Sequence, residues 1–167
     1  MTLVEIMIAS AIGTLVLVAL GSLTIYSARA IASVTNYVDM DQYSRHALDR
    51  MTLEIRQADL LSSYTASQLV FNTASGTNNL SYTYNSSQRT LTRTYGAEVE
   101  VLLRECDSLT FTIFARNTVA NTFDQFPTTN AANAKLVKMD WLCTRTIFGQ
   151  KVNTESIQSA KIVIRKQ

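Results

Sequence analysis

From Ile6 to Ala28 the chain carries no charged residue. At about 1.5 Å of rise per residue, this run makes a helix long enough to cross a hydrocarbon core of about 30 Å. A carboxylate, Glu5, sits at its mouth, where an unpaired charge at bilayer depth costs about 2.5 to 3.5 kcal/mol. Two cations can neutralise it. One is the chain's own α-amino group at Met1, one turn away and helped by the partial positive charge of the helix N-terminus. The other is the amine of a neighbouring copy, met when two such helices lie staggered side by side. Ala9 and Gly13, with Ser10 and Thr14 beside them, offer small side chains for such close approach. A secretory signal is a poor reading, because no Lys or Arg precedes Arg29 and no small-residue cleavage site follows the run.

Thr2-Leu3-Val4-Glu5 leading into an apolar helix resembles the mature N-terminus of type IV pilins and pseudopilins. The resemblance covers the first thirty or so residues closely. It implies that prepilin peptidase cuts before Met1, that Met1 is methylated in place of the family's usual Phe, and that Glu5 pairs with a neighbour's amine during assembly. It further implies an inner-membrane, single-pass stage, then an extracellular or periplasmic filament built of copies of this chain by pilus or secretion machinery. The family's short basic leader is missing, as expected of mature numbering. Many pilins carry a proline near the end of the apolar run, whereas the first one here is Pro127. Gly13 and Gly21 are then the weak points near which a melted segment in a filament is expected.

Beyond the span, neither Gly nor Pro interrupts the chain from Ala28 to Leu61. Ile31, Val34, Val38, Ala47, Leu48, Met51 and Ile55 recur at helical spacing, which predicts one helix over about 1–61, about 90 Å long. Its amphipathic half, 29–61, is expected to pack under a β-rich head, leaving 1–28 bare for lipid or for other copies. Asp41, Arg45 and Asp49, then Arg50 and Glu54, lie at four-residue steps and read as a solvated face. His46 reads as an ordinary surface residue.

After Leu61 the texture turns to Ser, Thr, Tyr and Asn with alternating β-branched and aromatic residues. Strands are predicted over 68–72, 80–84, 90–95, 98–104, 108–116, 135–142 and 160–165. Asn85 to Gln88 and Tyr95-Gly96-Ala97 read as hairpin turns. Leu109, Phe111 and Ile113, and later Val137, Met139 and Trp141, alternate onto core faces. The fold class is therefore α+β: a long N-terminal helix packed by an antiparallel sheet head over 62–167, a pilin-like layout. The closing 159–166 segment is also similar, in outline, to the larger minor pseudopilins of the J type.

Residues 117–133 are rich in Asn and Thr and hold Pro127, so they predict a long exposed loop pinned by Phe123 and Phe126. Cys106 and Cys143 bound this region. An even pair in an exported domain reads as a disulfide, with free thiols the alternative; closing the 106–143 loop contributes about 3 to 4 kcal/mol in the chain-entropy model. In pilins the disulfide-bounded region presents the variable surface, so the resemblance makes this loop the part that a partner meets.

Fifteen Lys and Arg against thirteen Asp and Glu are too balanced to point to a nucleic-acid surface. With one His, no glycine-rich phosphate loop and no close acid pair, no nucleophile, base and orienter assemble, and no enzyme, metal or cofactor is expected. The reading is a filament subunit. A type II secretion pseudopilin and a membrane-anchored binding module are the alternatives.

Overall fold

The computed structural model describes residues 2–72, 79–122, 124–147, 150–151 and 156–165, and only the backbone at 147, 150, 151, 156 and 157. Met1 and Phe123 lie outside the described residues, so the roles expected of them do as well.

A single helix, α1 (Leu3–Gln57), opens the chain, and an α+β layout follows with eleven antiparallel strands among the described residues. The chain divides into two compact units, Met1–Asn36 and Tyr37–Gln167.

In the first unit, every residue from 2 to 31 is exposed, including Leu3, Ile12, Leu15, Leu17 and Leu23. The helix runs unbroken through Gly13 and Gly21, and an added Cβ at either would meet nothing within 4 Å. Ile31, Val34 and Val38, expected on the packed face, are exposed as well, Ile31 to 64%. The buried stripe starts later: Met40, Ser44, Ala47, Met51 and Ile55. These positions advance by three or four residues, as one face of a helix requires.

The helix ends four residues short of the expected Leu61. The Ala58 amide still bonds back to Glu54, but the Asp59 amide turns to the carbonyl of Asn72, and β1 (Leu60–Thr65) begins. Sheet pairing captures this segment because Leu61, opposed to Phe71, is buried against the core at 1% exposure. A run of Ser62, Ser63, Tyr64 and Thr65 favours extended chain over helix in any case.

A five-stranded meander follows in the order β1-β2-β3-β4-β5, with β2 (Gln68–Asn72), β3 (Asn79–Asn85), β4 (Thr90–Tyr95) and β5 (Glu98–Leu103). The two turns expected from the sequence fall where they were placed. Asn85 Oδ1 accepts from the amides of Ser87 and Gln88, and Gly96 takes φ 60° in the two-residue turn to β5, a conformation glycine adopts without strain. The second sheet has the order β11-β8-β6-β7, built from β6 (Cys106–Ala115), β7 (Phe126–Thr128), β8 (Ala134–Cys143) and β11 (Ser156–Val163). A short pair, β9 (Thr146–Ile147) and β10 (Gln150–Lys151), stands apart.

Leu109, Phe111 and Ile113 of β6 and Val137, Met139 and Trp141 of β8 are all buried, as their alternation predicts. They form one core with Met51, Ile55, Leu69, Phe71, Leu80, Tyr82 and Leu91. Trp141 donates its indole N–H to Ser44 Oγ at 3.3 Å, fastening the second sheet to the helix. The expected loop at 117–133 is partly ordered: β7 pairs with β6, Phe126 opposite Ala115 and Pro127 opposite Phe114, and a 3-10 turn spans Ala131–Asn133. Pro127 fits because β7 is an edge strand, whose outer side needs no amide. Phe126 is 43% exposed, so backbone pairing rather than its ring holds the segment.

Candidate assembly surface

At the N-terminus, Thr2 and Glu5 form a reciprocal cap. The Thr2 amide donates to Glu5 Oε2 at 2.7 Å, and the Glu5 amide lies 3.4 Å from Thr2 Oγ1. The spacing Thr-x-x-Glu permits this because residues three apart face each other across the first turn. The acid that begins the apolar run is therefore paired within its own chain, satisfying an otherwise orphaned helix amide.

The hydroxyls further along are internally satisfied too. Ser10, Thr14, Ser22 and Thr24 each donate to the carbonyl three residues back, at 2.8 to 2.9 Å. They are the only Ser and Thr residues from Ile6 to Ile25, so no hydroxyl there is left seeking water. The helix is long and apolar enough to cross a membrane, a test that a signal sequence also passes.

Charge is handled differently in the second unit. Asp41 and Arg45 make the solvated pair that their spacing suggested, at 2.7 Å. Glu54 departs from that pattern: beside its bond from Arg50, it accepts from Tyr82 Oη at 2.5 Å and from Arg93 Nε at 2.9 Å. Arg93 is almost wholly buried and also reaches Glu98 at 3.2 Å. Burial pushes the Glu54 carboxyl up, but the hydrogen bonds from Arg93 and Tyr82 outweigh it and hold it below the ordinary carboxylate range. Burial and the Glu54 carboxylate together push the Tyr82 phenol far up. Sequence reading placed Glu54 on a solvated face because Arg50 sits at the right spacing. Arg93, an arginine at an inward position of β4, was the available signal that a buried acid awaited it.

Cys106 and Cys143 are opposed across β6 and β8, both buried and both free thiols. Opposed residues on antiparallel strands have Cα atoms about 4.5 to 5.5 Å apart, within the span a disulfide bridges. Around them Arg89, at φ 54°, donates to the carbonyls of Glu105 and Thr144 and pairs with Asp107. Tyr84 Oη donates to the carbonyls of Cys106 and Asp107. A cavity of about 360 Å³ lies nearby, lined by Met40, Tyr43, Leu102, Arg104, Cys143 and Arg145 among others. Arg145 is engaged by Glu105 at 2.5 Å and Asp39 at 3.5 Å. His46 is exposed, and no cluster of three or more His, Cys, Asp or Glu suited to a metal occurs among the described residues.

No family model, curated protein or solved structure matches the chain.

Proposed function

We propose that the chain is a structural subunit of a type IV pilus-like filament, held in a membrane by α1 before assembly and packed helix against helix afterwards. The observation that carries this reading is the continuous exposure of apolar side chains from Leu3 to Ile31, ended by a capped acid. A surface of that kind is unstable in water, and burying it contributes about 25 cal/mol per Å² wherever it goes. Lipid takes it first; neighbouring copies take it in the fibre.

Glu5 supplies register. Within one chain its carboxylate serves the Thr2 amide, and in the fibre it exchanges that neutral donor for the charged amine of residue 1 in the next copy, a stronger bond at low dielectric. Apolar area gives affinity without preference for any one stagger, whereas a single ion pair in a dry core fixes one. Electron microscopy of cells making Glu5→Ala, counted against wild type, tests the proposal. Fibres should disappear while the protein stays in the membrane; fibres in wild-type number would refute it.

A further inference from the structure

In the second unit, one edge of each of the two larger sheets differs in charge from the other. β5 closes the five-stranded sheet and β11 closes the four-stranded one, and among the described residues neither has a strand beyond it. From residue 37 to 107 acids outnumber Lys and Arg nine to six, whereas from 108 onward cations outnumber acids eight to three. The edges share this division. β5 carries Glu98 and Glu100, which lie 3.2 and 3.9 Å from Arg93, a guanidinium already committed to Glu54. Three carboxylates surround Arg93, and among the described residues Arg50 is the one other cation paired with them, which leaves β5 with excess negative charge. β11 carries Lys161 and is followed by Arg165, both exposed, with no acid from Ser156 to Arg165.

Open edges are templates for another strand, and charge decides which one. Two β5 edges repel each other, and so do two β11 edges. A β5 edge beside a β11 edge gains attraction, strand-to-strand backbone pairing, and exposed valines on each side: Val99 at 67% and Val163 at 48%. Because the two edges differ, the contact is heterologous and does not close on itself, which is the symmetry of an open fibre. We infer that, in a filament, β5 of one copy pairs with β11 of the next, joining the two sheets across the subunit boundary. This rests on the filament reading and adds a second contact, outside α1.

Zero-length carbodiimide coupling of wild-type filaments, grown from mixed light and heavy isotope-labelled protein, tests it. Mass spectrometry should find Glu98 or Glu100 joined to Lys161 in peptides that mix the labels. Lys161→Glu should lower fibre yield roughly tenfold, whereas Lys161→Arg, which keeps the charge, should leave it near the wild-type level. Filaments in which Lys161 couples only within its own chain or to another protein, with Lys161→Glu assembling normally, overturn the edge pairing and leave the filament reading standing. Wild-type protein that forms no filament removes both.

Discussion

Arg93 is 3% exposed and binds an acid from the helix and another from the neighbouring strand. Removing one partner of such a group leaves a buried charge uncompensated, so Arg93→Met should cost about 3 to 5 kcal/mol in urea unfolding. The double variant with Glu54→Gln should recover part of that loss, since no ion is then stranded. The same acid sets a pH response. Its folded pKa lies below the unfolded value near 4.3, so its contribution is complete above that value and is lost as the pH falls through the folded one. Asp140, drawn down by Lys138 and Ser159 against the opposing effect of burial, adds in the same direction. Urea midpoints should therefore fall from about pH 5 downward, and less steeply in Glu54→Gln. The opposed cysteines give a third expectation at this scale. They are free thiols here but lie within bridging reach, so protein passed through an oxidising compartment should form the bond and resist alkylation until reduced, and replacing both with Ser should then lower its stability by about 3 kcal/mol.

At the scale of elements, periodicity carried most of the reading. Strands β2 and β4 match their predicted ends, and β3, β5, β6 and β8 lie within one or two residues, because alternation and turn residues agree there. β1 was hidden because Leu60 and Leu61 continue the helical spacing, and only pairing with β2 decides against it. β7 was hidden because three residues around a proline make no pattern, yet an edge accepts them. Ile31, Val34 and Val38 misled in the opposite way: an apolar stripe states that burial is wanted, not by what. The glycines of α1 show the same limit. Both are helical with room for a side chain, so Gly13→Ala with Gly21→Ala should raise helix stability by about 1 to 2 kcal/mol in detergent, measured by circular dichroism against temperature. If these positions unwind in the fibre, that variant should assemble more slowly.

For the whole molecule, the α+β class and the capacity of the first helix to span a bilayer were legible at the outset, because both follow from runs of residues. The cap at Thr2 and Glu5 was only half legible: the acid stood out at the head of the apolar run, but its expected partner was an amine, and whether it serves its own chain or another depends on what surrounds the helix. In a single copy it serves its own. The account holds that assembly changes that partner, and that this exchange aligns an otherwise featureless apolar rod. Electron cryomicroscopy of the filament at side-chain resolution measures it directly. The prediction is a Glu5 carboxylate within hydrogen-bond distance, about 3 Å, of the residue 1 amine of an adjacent copy. A carboxylate still bonded to the Thr2 amide of its own chain, with the neighbouring amine out of reach, would contradict the account.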